Sequence, residues 1–475
     1  MPRKILFAAV VFLLSATTLF SQSLQNLVHQ PPDGAGIGFL LTDGTVLYQG
    51  GAESDWWKLT PDINGSYVNG TWARMANLPA GYVPDAFASA VLADGRLVIT
   101  GGEYLNNNFT LTNLGAIYDP AKNTWTNLPA PSSWPFIGDS PSAVLPNGLF
   151  LVGNKLAKSM AALNPKTLTW TVLPETGKSD FNAEEGWTLL ADGSVLTMDV
   201  KNAPNSERLN TTTKTWSTAG STIVDLHSPS PFGCLPFGPN GKYCYYPPGE
   251  IGPAILRPDG TVYATGSNSS TGSGAGHTAI YDTKTGKWTV GPDFPNGDNA
   301  GDSFAALLPN GDVLVEGFLA SYLWDGTSLT QTLPTPGSLL MLPTGQVLVG
   351  GSEVYNPAGT YQAGWAPTIT SVSTSVSRGS TYKISGTQFN GLSQAAAFGD
   401  EYETATNYPL VRITNTASGH VFYAKTHNHS TMGVATGSKI VSTNFDVPAT
   451  METGASTLEV VANGIPSAPV SITVN

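Results

Sequence analysis

Charge is scarce in this chain of 475 residues: Asp, Glu, Lys and Arg together make up 12% of it, about half of the ~25% common in globular proteins. The little charge there is leans acidic, 34 acids against 22 bases, for a formal net charge of −12. A surface of that sign repels phosphate backbones and anionic lipid, which excludes nucleic acid as a partner and leaves carbohydrate, metal ions or other neutral polymers. Cysteine is nearly absent. Cys234 and Cys244 are the whole supply, too few for a thiolate metal cage. Apolar runs of the ~20 residues that span a bilayer are missing as well. The longest, ILFAAVVFLLSATTLF, follows Arg3 and Lys4 and reads as a secretory signal peptide over residues 1–21. The mature chain is therefore expected to have no membrane span and to be secreted, periplasmic or held at the cell surface. In such an oxidising compartment a Cys234–Cys244 disulfide is expected across the loop PFGCLPFGPNGKYCYYPPGE. No helical period of useful length is visible, nor a Gly-rich phosphate loop, a nucleophile elbow or an HExxH helix.

Glycine (52) and proline (35), by contrast, are plentiful, and they punctuate a repeat. An apolar run, a two-residue turn ending in Gly and a second apolar run return seven times, from FLLTDGTVLYQGG (39–51) and AVLADGRLVITGG (90–102) to LLMLPTGQVLVGG (339–351). Each phrase predicts a β-hairpin. A second strand pair follows most of them, as in AIYDPAKNTWTNLP (116–129) and TAIYDTKTGKWTV (278–290), with Trp72, Trp125, Trp170, Trp216 and Trp288 at matching points. Four strands at each of seven recurrences predict a seven-bladed β-propeller over residues 22–365. The Gly-Gly after the second strand, the Tyr-Asp segment and the Trp after the next turn resemble Kelch repeats. The longest interval between turn glycines, Gly193 to Gly260, holds an insertion at 221–253 that carries both cysteines. The first and last units both read as having four strands, which leaves the closure of the ring open.

From Ala366 to Asn475 the composition shifts to Ser, Thr and Val in short alternating strands, which predicts an immunoglobulin-like β-sandwich. The chain is thus expected to be all-β throughout. A propeller followed by such a domain resembles the galactose oxidase and glyoxal oxidase family. The stretch LVRITNTASGHVFYAKTHNHSTMG resembles that family's last domain, where a His on a loop entering the channel binds copper; the matching pair here is Thr426-His427. The remaining copper ligands have no counterpart. Where the family places adjacent Tyr and His, this chain has Thr335 and Pro336, and its two cysteines lie elsewhere, so a radical-copper oxidase is not expected.

In place of those ligands stands a row of acids just ahead of the inner hairpins: Asp33, Asp85, Asp139, Glu184, Glu250 and Asp302. Residues at that level ring one mouth of a propeller channel. Carboxylates brought together there need a cation, a proton or a donor network. One reading is a site for a divalent metal ion or a hydroxyl-rich ligand, with His427, and His429 two residues on, reaching in from the sandwich, and with Glu184 or Glu185 as proton carrier if the site is catalytic. The other is that the acids accept backbone amides from neighbouring blade loops. Three functions stay open: a carbohydrate- or metal-binding module, a metal-dependent enzyme on the oxidase scaffold, and a structural surface protein.

Overall fold

Each of the seven repeated phrases folds as the inner hairpin of an antiparallel sheet, four-stranded in six cases and five-stranded in the sixth repeat. The computed structural model describes residues 21–228, 249–267 and 275–475, together with the backbone of 233–235 and 243–245. The turns are one residue longer than expected. In the first hairpin Leu41 N bonds Thr45 O at 2.7 Å and Gly44 N bonds Leu41 O at 3.0 Å, so the loop is 42–44, with Gly44 at φ 76° forming a bulge. That bulge matches the twist of the flanking strands. The acid before the glycine has its own role, since Asp43 Oδ1 accepts from Thr45 N at 3.0 Å and from its hydroxyl at 2.6 Å. Asp94, Asn147, Asp192, Asp259 and Asn310 bond their turns in the same way.

The sheets are seven blades in chain order, I (38–74), II (88–127), III (142–173), IV (188–221), V (251–290), VI (305–331) and VII (339–356). Blade VII supplies only three strands of its own. The fourth is Ser23–Asn26, whose Ser23 pairs with Asn356, so the first described strand closes the ring against the last blade. Inner strands such as Ala88–Val91 and Leu97–Thr100 are wholly buried, each large aliphatic contributing ~1.5–3 kcal/mol. The repeat tryptophans sit on outer strands, and three of them tie a blade to the one before it. Trp72, Trp125 and Trp170 donate indole N–H to the carbonyls of His29, Ala76 and Pro129 at 2.9, 3.0 and 2.7 Å.

Residues 368–474 form a further β-unit, antiparallel but for the Ser375–Val376 pairing with Val470–Val474, around a core of its own that includes Ile384, Val411, Phe445 and Leu458. It docks on the face where the hairpin turns lie. Thr426 N bonds Thr42 O at 3.0 Å, His429 N bonds Ala93 O at 3.1 Å and Met432 N bonds Pro146 O at 3.2 Å, beneath blades I to III. Between its strands Thr381–Thr387 and Leu410–Asn415 it sends a long loop up the channel. Ala396–Ala397 adds to the innermost strand of blade VI. Gln394 accepts from Leu189 N of blade IV at 2.6 Å, and Tyr402 N reaches Phe87 O beside blade II at 3.1 Å. Small residues make the passage possible: a Cβ on Gly399 would lie 2.5 Å from Ile251 O. Among the described residues no α-helix occurs, and no helix is long and apolar enough to cross a membrane. Residues 1–20, where the signal peptide is expected, and the side chains of Cys234 and Cys244 lie outside the described residues.

Candidate functional site

The inner strands start at the mouth opposite the hairpin turns, and the tip of the channel loop, Asp400-Glu401-Tyr402, rises to meet that level. Asp139, Glu184 and Asp400 each offer a carboxylate oxygen within 4.8 Å of the others, and all three are buried. Lys155 is the cation among them: its ammonium contacts Asp139 and lies 2.7 Å from Glu184 Oε1, with the lysine side chain 4% exposed. Glu250 and Asp302 share a side-chain hydrogen bond beside this group, and both feel the charge of Glu184. Glu103, from the edge of blade II, faces Lys155 and Glu184. With Glu401 of the loop tip, seven carboxyls among the described residues thus stand near one ammonium.

Burial and crowding raise the pKa of several of them. Burial first, then the charge of Glu184, pushes Glu250 up to about 7. Burial and the Asp302 and Glu184 charges lift Glu401 to about 8, against the pull of an Asp400 hydrogen bond. Asp400 is raised well above the ordinary range by burial and by Glu401. It is only 6% exposed, and its oxygens meet other carboxyls, those of Glu401 and Glu184, with no amide, ammonium or hydroxyl donor on either. Glu184 and Asp302 hold left-handed backbone, φ 54° and 48°, as does Tyr402 at 42°, a conformation that costs non-glycine residues ~1–3 kcal/mol.

Four of the acids expected from the sequence therefore converge: Asp139, Glu184, Glu250 and Asp302. Asp85 stands at the rim, where it accepts from the Tyr402 hydroxyl. Asp33 turns aside to Asp55, whose carboxyl raises its pKa. Glu185 points the other way from Glu184, into blade IV, where Lys178 Nζ lies 2.8 Å from its Oε2 and 2.7 Å from Glu207 with every partner buried. It is not placed to carry protons at the channel.

The histidines expected in the site are elsewhere. His427 ends the strand Val421–His427 and sits 3.1 Å from Asp446 of the neighbouring strand, on the docking side of the C-terminal unit. His429 stacks on Tyr408, with Nδ1 2.8 Å from the Thr443 hydroxyl, and burial followed by the His427 charge lowers it to about 3. The reason is topological: the segment that enters the channel is the loop before Leu410, whereas the Thr426-His427 pair follows it and is held at the bottom face by Thr42. The signal for the true channel loop was SQAAAFGDEYE (393–403), three alanines and a glycine ahead of a dense acidic run in a charge-poor chain.

No family model matches the chain. The Kelch-like protein terF of Aspergillus terreus is 27% identical over 121 residues, which is 23% of this chain and 26% of that one, so the match spans about a quarter of that relative. A fungal alcohol oxidase of the AA5 family, in complex with copper, is 14% identical with a TM-score of 0.47, covering 95% of this chain and 98% of that one. Virginiamycin B lyase of Staphylococcus aureus is 12% identical with a TM-score of 0.44, covering 70% and 98%. Seven blades around a channel filled by a C-terminal β-unit make this a β-propeller whose repeats resemble Kelch repeats. In particular, its overall fold is similar to that of the AA5 alcohol oxidase, and its channel holds a group of carboxylates. Oxygen donors alone suit a hard cation and do not fit copper, which prefers imidazole and softer ligands.

Proposed function

We propose that this protein is an exported ligand-binding propeller that holds a divalent cation, Ca²⁺ or Mn²⁺ in character, at the inner mouth of its channel through Asp139, Glu184 and Asp400. The observation that carries the reading is Asp400: a carboxyl buried at the meeting point of blades III and IV, whose side-chain partners are the carboxyls of Glu184 and Glu401, with no amide, ammonium or hydroxyl donor on either oxygen. Ionising such a group without a positive partner costs several kcal/mol. A cation removes that cost and also offsets the repulsion among Glu250, Asp302 and Glu401. Open coordination positions would face the mouth and take hydroxyls of a carbohydrate or polyol. Export and a Cys234–Cys244 disulfide belong to the same reading. The two residues are direct partners in the short antiparallel pairing of Gly233–Leu235 with Tyr243–Tyr245.

The test is calorimetric titration of the purified, chelator-treated mature chain with Ca²⁺ and Mn²⁺. One saturable site is expected in the wild type, and loss of it in Asp400→Asn, with the variant as stable as the wild type in the absence of metal. Absence of binding by either ion sinks the reading and leaves a structural surface protein. A second reading, an enzyme using the cation, draws on Glu250, which titrates near neutral pH beside the group as a proton carrier must. Cation-dependent turnover of polyols or aldoses, abolished in Glu250→Gln, is its test.

A further inference from the structure

Next to the carboxylate group the mouth widens into a cleft of about 310 Å³ between blade I, the entry to blade II and the tip of the channel loop. Its walls carry two carboxylates, Glu53 and Asp85, and two aromatic rings, Phe304 and Tyr402. Among the described residues no lysine or arginine lines it. Glu53 and Asp85 are close enough that the Asp85 charge, after burial, helps hold the Glu53 carboxyl above its ordinary value. The rings of Phe304 and Tyr402 lie nearly parallel, 17° apart in plane with centroids separated by 6.5 Å.

The donors in this cleft are already in use. Gln49 gives its amide N–H groups to the carbonyls of Glu53 and Pro84 at 3.0 and 2.9 Å, and the Tyr402 hydroxyl donates to Asp85. What remains for a ligand is negative charge and aromatic face. An anion needs positive charge and does not fit, and a neutral polyol could use the carboxylates through its hydroxyl donors alone, without pairing their charge. A positively charged nitrogen fits both features, since carboxylates pair with it and ring faces attract it within ~6 Å of the centroid.

We propose that this cleft binds a compact organic ammonium ion, such as an amino sugar, with its charged nitrogen between Asp85 and Glu53 and its body against Phe304 and Tyr402. The site is separate from the metal site proposed above and needs no metal. It is tested by titrating the chelator-treated mature chain with glucosamine and with N-acetylglucosamine, which keeps the ring and loses the charge. Glucosamine is expected to bind at least about ten-fold tighter, the scale of one partly desolvated ion pair with a cation–π contact. Asp85→Asn also disturbs the Tyr402 contact, so Glu53→Gln is the cleaner variant, and a several-fold loss is expected in each. Asp400→Asn, which abolishes the proposed metal site, is expected to leave glucosamine binding unchanged. Equal affinity for the two sugars, no saturable binding of glucosamine, or indifference to Glu53→Gln each overturns the proposal, whatever the outcome at Asp400.

Discussion

Raising the pH of the metal-free protein should destabilise it, and a divalent cation should restore what is lost. Glu250 titrates at about 7 in the folded chain, against an ordinary 4.5, and Glu401 at about 8. A carboxyl whose folded pKa lies above its unfolded value keeps its proton longer in the fold. Its stabilising contribution is complete below pH ~4.5 and is lost as the pH climbs through the folded value. At about 1.4 kcal/mol per unit, the window from 4.5 to about 7 for Glu250 alone amounts to about 3 kcal/mol. A cation that binds only the folded state returns ~2.7 kcal/mol at a hundred times its Kd, nearly the whole of that loss. Surface acids such as Asp119 and Asp325 act in the opposite sense, being held below their ordinary value of 3.8, so their effect falls at more acid pH. The assay is urea unfolding of the mature chain from pH 4.5 to 8.5, with chelator and with saturating Ca²⁺ or Mn²⁺. Chelated protein that is as stable at pH 8 as at pH 5 refutes the account of the buried carboxyls. A cation effect of the same size at both ends refutes its link to their charge.

Two further outcomes follow from the same packing. Lys155→Met leaves Asp139 and Glu184 without their ammonium and is expected to cost ~3–5 kcal/mol at pH 8, less at pH 5, with part of the loss recovered by cation; urea unfolding at the two pH values reads both. Gly44→Val meets a left-handed backbone at φ 76° and the Tyr423 ring at 2.5 Å, so it should destabilise by ~2 kcal/mol or more; combining it with Tyr423→Ala should relieve the steric part of that loss and leave the backbone part.

The blades were legible in the sequence because a hairpin is a local object. Alternating apolar residues, an Asp or Asn and a glycine within about ten residues fix two strands and their turn, and repetition of that phrase seven times supplies the ring. The acids before each inner strand could be aligned on the same ruler, and so Asp139, Glu184, Glu250 and Asp302 were found. Spacing could not say which way each acid turns. Asp33 pairs with Asp55, and Glu185 is drawn by Lys178 into blade IV while its neighbour Glu184, in left-handed backbone, faces the channel. Nor could it show that Ser23–Asn26 completes blade VII, since that pairing joins residues 333 positions apart, Ser23 to Asn356.

Local pattern alone thus determined an all-β chain of seven repeated units with a row of acids at one level. The tertiary structure decided what fills the hollow: the C-terminal unit docks by its Thr426–His429 segment on the hairpin turns, which holds both histidines at the far face and leaves the 388–409 loop to bring Asp400 into the channel. The physical reason is that a toroid's axis is lined by strands from every sector, so the loop that occupies it is chosen by steric passage and by contacts across the whole ring. A strand's own sequence carries no record of either.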